Sequence, residues 1–136
     1  MRFFYLEEMI IMLHPNKYLK EIGIDENYWL FKDRKNGDKR CIPDEDGFVE
    51  AELFNLDSTF SMYIYSHLCY FRDHCLVGHP SSMTFEQWKE IIDKMIEAFK
   101  LQIDLDSSID LLSKNRRKKI NYGMRLFIKY YNCLWW

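Results

Sequence analysis

The residues best suited to bind a ligand form a basic run near the C-terminal end. Five of the six residues from 114 to 119 are lysine or arginine, and a tyrosine and an arginine follow within two helical turns. Guanidinium groups match phosphate oxygens in a bidentate geometry, and a tyrosine ring can stack on a base. We therefore expect the ligand-binding residues to be Arg116, Arg117, Lys118, Tyr122 and Arg125.

The alternative is that this run is only the solvated face of a long helix. A helix distributes consecutive residues around its axis, so only two or three of the bases can meet one ligand. The net charge of the chain is −2, which gives no global attraction for nucleic acid. A small anionic ligand therefore fits the run better than a nucleic-acid duplex.

Histidines and cysteines are concentrated between residues 67 and 79, namely His67, Cys69, His74, Cys75 and His79. Zinc requires three or four ligands that converge tetrahedrally. His67 and His74 share a helical face that Cys69 does not, and the spacing matches no standard zinc knuckle or ribbon. We expect no metal and no cofactor, and interpret the cluster as buried cysteines with partly exposed histidines.

Cys75 with His74 or His79 is a candidate for nucleophilic catalysis. An activated thiolate needs a lowered pKa and access to substrate, and proximity in sequence supplies neither. The sequence contains no glycine-rich phosphate loop, nucleophile elbow or HExxH motif. We therefore expect that the protein is not an enzyme.

Amphipathic helices must position these residues, and the clearest runs from Thr84 to Phe99. Its apolar residues are spaced 3, 4, 3 and 4, which is typical of one helical face: Phe85, Trp88, Ile92, Met95 and Phe99. Thr84 and Gln87 have the spacing of a capping box. Burying one large apolar side chain contributes about 1.5–3 kcal/mol, so the apolar stripe decides how this helix packs.

Two further helices are predicted. The first runs from Leu56 to Val77 with the stripe Phe60, Ile64, His67 or Leu68, Phe71 and Cys75. The second begins between Gln102 and Asp110 and continues to about Leu134, with the stripe Ile120, Met124, Phe127, Tyr131 and Leu134. Gly123 inside a helix costs about 1 kcal/mol relative to alanine, which indicates a close helix crossing there.

The predicted fold class is mainly α, with an antiparallel three-helix bundle over residues 56–136. Residues 1–55 are expected to form an irregular N-terminal cap of short helices, one of which runs from Asn16 to Ile22 and ends at Gly23. Asn36-Gly37 is a strong hairpin signal, so residues 28–42 form either a short β-hairpin or a loop. Trp135 and Trp136 are the expected subunit interface of a homo-oligomer, with Trp135 packed and Trp136 partly exposed.

Cysteine usage and the lack of long apolar runs indicate the compartment. None of the four cysteines forms a CxxC pair, and no secretory signal is recognisable. No apolar run approaches the roughly 20 residues needed to cross a bilayer. We expect a reduced, intracellular protein without a membrane partner.

Several segments resemble a family of small helical proteins encoded by bacteriophages and prophages. They are GF at 47–48, LFNLD at 53–57, GHP at 78–80, MTFEQW at 83–88, the run 95–99, GMRLF at 123–127, KYY at 129–131 and LW at 134–135. The family tends to carry tyrosine where His79 stands and an acid where Trp136 stands. The resemblance implies a phage origin and a helical fold, and it implies no activity.

The sequence and the resemblance together predict a non-enzymatic phage accessory protein that acts by binding in the host cytoplasm. The most specific form of this prediction is an anti-defence protein that sequesters a host anionic nucleotide signal. The alternative is a protein–protein interaction or virion-assembly module whose acidic, aromatic N-terminal region contacts a host or phage protein. Residues 44–57 carry six acids and no base, which supports this alternative.

Overall fold

The computed structural model describes residues 12–104 and 114–135, and its regular structure is helical. The helices are α1 Lys17–Glu21, α2 Trp29–Lys35, α3 Glu50–Phe54, α4 Leu56–Tyr70, α5 Phe85–Asp104 and α6 Lys114–Lys129. Two 3₁₀ turns, Lys39–Cys41 and Tyr131–Cys133, and a π-helical turn, Phe71–Cys75, complete them. These two ranges contain no strand, which confirms the mainly α class.

The chain divides into two compact units, residues 1–60 and 61–136. The division falls within α4, whereas the sequence placed it at residue 55. No helix in the described ranges combines the length and apolar character that a membrane span requires.

In the first unit, α1 begins and ends as its sequence predicts. The Asn16 side chain accepts a hydrogen bond from the Leu19 N–H at 3.1 Å and so caps the first turn. At the other end, the Gly23 N–H donates to the Lys20 carbonyl at 3.1 Å, and the Ile24 N–H donates to the Leu19 carbonyl at 2.9 Å. These two bonds form a Schellman motif around Gly23, the residue at which the helix was expected to end.

Residues 28–42 form α2 and a 3₁₀ turn, so the hairpin alternative is wrong. Gly37 has a φ of +86°, and its N–H donates to the Arg34 carbonyl at 3.0 Å. The Asp38 N–H donates to the Asp33 carbonyl at 3.0 Å, which completes a second Schellman motif. A hairpin turn and a helix end both use a glycine with positive φ here, so the dipeptide alone does not separate them.

A partly buried ion pair joins distant segments of the first unit. Arg34 Nε donates to the Cys41 carbonyl at 2.7 Å, Nη1 donates to the Leu13 carbonyl at 2.9 Å, and Nη2 lies 3.7 Å from Glu52 Oε2. Glu52 Oε1 accepts from the Leu13 N–H at 3.4 Å. Burial lowers the pKa of Arg34 and raises the pKa of Glu52, so desolvation outweighs the attraction between the two charges.

The buried face of α4 differs from the predicted stripe. Phe60 and His67 are exposed, whereas the buried residues are Ser58, Ser61, Met62, Tyr65, Ser66, Leu68 and Cys69. The Ser66 hydroxyl is satisfied by donating to the Met62 carbonyl at 2.9 Å. Leu68 and Cys75 of the predicted stripe are buried, and Ile64 and Phe71 are half-buried, so the stripe is confirmed in part. Apolar residues occur on every side of this helix, so a 3.6-residue period fits more than one face.

In the second unit, α5 packs as its sequence predicts. Its buried residues are Trp88, Ile92, Met95, Ile96, Ala98 and Phe99. The capping box is confirmed, because the Gln87 N–H donates to Thr84 Oγ1 at 3.1 Å and the Thr84 N–H donates to Gln87 Oε1 at 2.9 Å. Phe85 was expected in the stripe but lies in the first turn and is 38% exposed.

Helices α5 and α6 pack antiparallel. The Trp88 ring lies 5.7 Å from the Tyr130 ring, and Lys119 near the start of α6 pairs with Glu97 further along α5. A Cβ at Gly123 would overlap the Ala98 side chain and the Lys94 backbone carbonyl. The close crossing predicted at Gly123 is therefore confirmed. The sequence analysis placed the start of this last helix between Gln102 and Asp110. Residues 105–113 lie outside the described residues.

Candidate functional site

Helix α6 has a strong charge imbalance. It contains seven lysine and arginine residues and no acid. Ile120 and Gly123 are its buried residues and mark the side that meets α5. The exposed bases are Lys114, Arg117, Lys118, Lys119, Arg125 and Lys129. The packing on α5 therefore leaves most of the positive charge of this helix in contact with solvent.

The structure brings together three of the five residues predicted to bind a ligand. Lys118, Tyr122 and Arg125 are spaced 4 and 3, which places them on one exposed face of α6. Tyr122 lies between the two bases and is 51% exposed. Arg117 is also exposed, but about 100° around the helix from Lys118.

Arg116 lies apart from that face. It precedes the buried Ile120 by one helical turn and therefore shares the side that meets α5. Its side chain is half-buried, and its Nη1 atom is buried. Sequence alone could not separate Arg116 from Arg117, because the choice depends on which side of α6 meets α5.

Acidic neighbours neutralise little of the exposed charge. Lys119 Nζ lies 3.5 Å from Glu97 Oε1. Among the residues that the structure describes, no carboxylate lies within 4.0 Å of Arg117, Lys118 or Arg125. Arg125 Nε donates to the Asn121 carbonyl of its own helix at 3.4 Å. The face that carries Tyr122 therefore has positive charge available for an anion.

A groove of about 390 Å³ adjoins this face. It is lined by Ser82, Met83, Gln87, Glu90, Ile91, Lys94, Tyr122 and Tyr130. The volume lies within the range of small-molecule pockets, and the lining combines two phenol rings with several hydrogen-bonding groups. The sequence analysis missed Lys94 and Tyr130. The i, i+3, i+7 spacing of Gln87, Glu90 and Lys94 would have indicated a shared face once the pairing of α5 with α6 was known.

A second cavity, of about 400 Å³, is mostly apolar. Its lining includes Cys75, His79, Trp88, Cys133 and Trp135. Trp135 is 77% exposed, so the expectation that it is packed is wrong. Trp136 lies outside the described residues, and an interface formed by the two tryptophans stays a prediction.

The histidines and cysteines of residues 67–79 do not converge. Cys69 and Cys75 are buried while His67, His74 and His79 are exposed, which confirms the predicted burial pattern. His79 Nδ1 lies 2.8 Å from the Pro80 carbonyl oxygen. Within the described residues, Cys75 makes no hydrogen bond to His74 or His79, so the geometry supplies no base for a nucleophilic thiolate.

A different cluster, which the sequence analysis missed, brings ligand atoms of Asp33, Asp38 and Cys41 within 4.8 Å of one another. Arg40 donates to Asp38 Oδ2 at 2.8 Å and to Oδ1 at 3.2 Å, and this bonding lowers the pKa of Asp38 to about 2. Burial, with the nearby aspartates, raises the pKa of the Cys41 thiol. The guanidinium offsets the charge of Asp38, one of the two carboxylates, and the thiolate is disfavoured, so the arrangement suits a cation poorly.

Comparisons of the chain with protein-family models, curated proteins and solved structures found no match. The class that the helices define is a mainly helical protein with a basic, solvent-exposed helix and an adjoining groove on its α5–α6 pair.

Proposed function

We propose that the protein acts by binding an anionic nucleotide at the α5–α6 groove. The observation that supports this most is the placement of Tyr122. It lines the groove and lies one turn from Lys118 on one side and from Arg125 on the other. One residue thus offers a stacking surface directly beside two charges that have no carboxylate within 4.0 Å among the described residues.

In this proposal the base of the nucleotide enters the groove and stacks on Tyr122. Stacking of a base on an aromatic side chain contributes about 1–3 kcal/mol. The phosphates contact Lys118 and Arg125. Each hydrogen bond to one of these charged groups contributes about 1.5–3 kcal/mol to binding. Arg117 contacts phosphate from the side, whereas Arg116 acts on the packing of α6 against α5.

Binding alone is sufficient for the anti-defence role that we propose. A protein that sequesters a host nucleotide signal in the host cytoplasm needs affinity and no reactive group. The exposed bases of α6 would also speed encounter with an anion, at a rate that falls with ionic strength. This role explains why a basic helix is useful in a chain whose net charge is −2.

Isothermal titration calorimetry with linear and cyclic nucleotides tests the proposal. At least one nucleotide is expected to bind the wild-type protein with an affinity that falls as salt is added. Lys118→Glu/Arg125→Glu should abolish binding and Tyr122→Ala should weaken it, while the exposed control Lys89→Glu on α5 should leave it unchanged. The proposal is wrong if the wild-type protein binds no nucleotide of the panel. It is also wrong if Lys118→Glu/Arg125→Glu binds a nucleotide as tightly as the wild-type protein does.

A second candidate function is a protein-interaction or virion-assembly module in the first unit. Phe48 and Phe54 are 61% and 67% exposed, and Leu53 between them is also exposed. They lie in the acidic segment 44–57. Exposed large apolar residues beside charges are typical of protein-binding surfaces. A pull-down from infected cells that loses its partner with Phe48→Ser/Phe54→Ser, but not with Lys118→Glu/Arg125→Glu, would favour this module.

We also propose that α4, α5 and α6 complete an antiparallel three-helix bundle. Arg72 Nη1 lies 3.2 Å from Asp93 Oδ1 and so joins the π-helical turn after α4 to the middle of α5. NOEs between buried residues of α4 beyond Ser61 and those of α5 would support the bundle. Their absence in a well-resolved spectrum would contradict it.

A further inference from the structure

Helix α4 and its π-helical turn present an exposed stripe of alternating tyrosine and histidine. Its members, Tyr63, His67, Tyr70 and His74, are spaced 4, 3 and 4 and are all exposed. The opposite side of the helix buries serines together with apolar residues. The fourteen residues 58–71 contain no aspartate, glutamate, lysine or arginine. A solvent-facing helix normally carries such charges, so this stripe resembles a surface that another protein covers.

The rings of the stripe are already ordered in pairs. Tyr63 and His67 stack with centroids 3.8 Å apart and planes 16° apart, and Tyr70 and His74 lie 4.4 Å apart. His67 Nδ1 lies 2.7 Å from the Tyr63 carbonyl oxygen. That oxygen can only accept, so Nδ1 carries the proton and the Nε2 atom of a neutral ring remains an acceptor. The stripe therefore offers phenol donors next to an imidazole acceptor.

We propose that this stripe is the interface between two copies of the chain, packed antiparallel about a two-fold axis. The 4, 3, 4 spacing reads the same in both directions, so the axis passes between positions 67 and 70. Tyr63 then faces His74 of the partner subunit, and His67 faces Tyr70 of the partner subunit. Every phenol donor meets an imidazole acceptor, which is the self-complementarity that an isologous interface requires.

The chemistry of the stripe favours a second copy over a different partner. The four side chains of the stripe carry no formal charge, and the adjacent Arg72 and Asp73 pair with each other at 2.9 Å. Such a surface has no electrostatic complement in an acidic or a basic protein, whereas pairing with itself brings no net like charges together. Parallel pairing of two copies would place tyrosine on tyrosine and histidine on histidine and would lose the donor–acceptor match. The stripe shares no residue with the groove that Tyr122 lines. The proposed dimer and the proposed nucleotide binding can therefore be tested independently.

Sedimentation equilibrium of the full chain, with matched charge variants, tests the dimer and its direction. In the antiparallel register, His67→Lys/Tyr70→Glu places each lysine opposite a glutamate of the other copy. His67→Lys/Tyr70→Lys places lysine opposite lysine. Glu86→Lys/Lys89→Glu, at exposed positions of α5, is the control. Circular dichroism verifies that every variant keeps its helices.

The wild-type protein and the control are expected to sediment at twice the chain mass of 16.7 kDa. The lysine–lysine variant should be monomeric. The dimer dissociation constant of the lysine–glutamate variant should be lower than that of the lysine–lysine variant by about tenfold or more, because close charge pairs couple across interfaces. A monomeric wild-type protein or a dimeric lysine–lysine variant would overturn the proposal. Equal association of the two double variants would also overturn it.

Discussion

The α5–α6 pair and the first unit are both built from helices that bury apolar side chains, but they differ in the polar contacts that accompany this burial. In the pair, α5 buries an apolar stripe and is capped at its start by Thr84. Gly123 of α6 packs closely against Ala98 of α5. The first unit has short helices that end in Schellman motifs, and its distant segments are joined by Arg34 and Glu52. Both regions therefore bury apolar side chains, and the first unit adds polar contacts between residues that are distant in the chain.

This difference explains which region the sequence describes well. A helical stripe and its cap repeat over three or four residues and are visible in a local window. The contacts of Arg34 with Leu13 and Glu52 span 21 and 18 positions and follow no repeat. Substitutions in the two regions should separate these contributions, and they are described in order of decreasing effect.

The largest effect is expected in the first unit, from Arg34→Ala. The change leaves Glu52 without its partner and removes donors to the Leu13 and Cys41 carbonyls. Removing one member of a largely buried pair costs about 3–5 kcal/mol, reduced here because both side chains keep some solvent contact. Urea denaturation should show a loss of about 2–4 kcal/mol. The exposed Arg40→Ala should cost about 0–1 kcal/mol, and equal losses for the two variants would contradict the role of the buried pair.

The next effect is expected in the α5–α6 pair, from Gly123→Ala. The added Cβ overlaps Ala98 and the Lys94 carbonyl, and such overpacking costs about 1–3 kcal/mol. The higher helix propensity of alanine offsets about 1 kcal/mol of this cost. Gly78→Ala is the matched control, because a Cβ at Gly78 meets nothing within 4 Å. Thermal unfolding should show a lowered Tm for Gly123→Ala alone. An unchanged Tm would mean that the two helices do not cross closely at this residue.

A smaller effect is expected at the start of α5. Thr84→Ala removes the acceptor of the Gln87 N–H and should cost about 1 kcal/mol in chemical denaturation. Thr84→Ser keeps the hydroxyl and should be nearly neutral. If both variants lost the same stability, the methyl group of Thr84 rather than the capping bond would be responsible.

The smallest effect is expected at Asp38 in the first unit. Bonding to Arg40 lowers the pKa of Asp38 to about 2, so its contribution to stability is complete above its unfolded pKa of about 3.9 and is lost as the pH falls through about 2. An NMR titration should give this low pKa in the wild-type protein. Arg40→Ala should raise the pKa towards its ordinary value. A pKa near 4 in the wild-type protein would show that the pair does not persist in solution.

The same contrast explains how much of the fold and site could be predicted. The capping box at Thr84 and the crossing at Gly123 follow from local residue types, and both are present. The face of α4 was predicted only in part, with Leu68 buried and Phe60 exposed, because its apolar residues surround the helix. Asn36-Gly37 was ambiguous because a hairpin turn and a Schellman motif both use a glycine with positive φ.

Only part of the candidate site could be predicted from the sequence, for a related reason. The charges of α6 and the nearby Tyr122 are adjacent in sequence and could be found directly. Lys94 and Tyr130 join them only where two helices distant in the chain meet. Arg116 was grouped with its neighbours because nothing in a basic run shows which residue faces the adjacent helix.

Intermolecular NOEs between a bound nucleotide and the protein test the central claim most directly. Base protons are expected to show NOEs to the ring protons of Tyr122 and Tyr130, with shift changes at Lys94, Lys118 and Arg125. This pattern would place the base in the α5–α6 groove and the phosphates on the basic face. NOEs confined to other residues, or none at saturating nucleotide, would contradict the account.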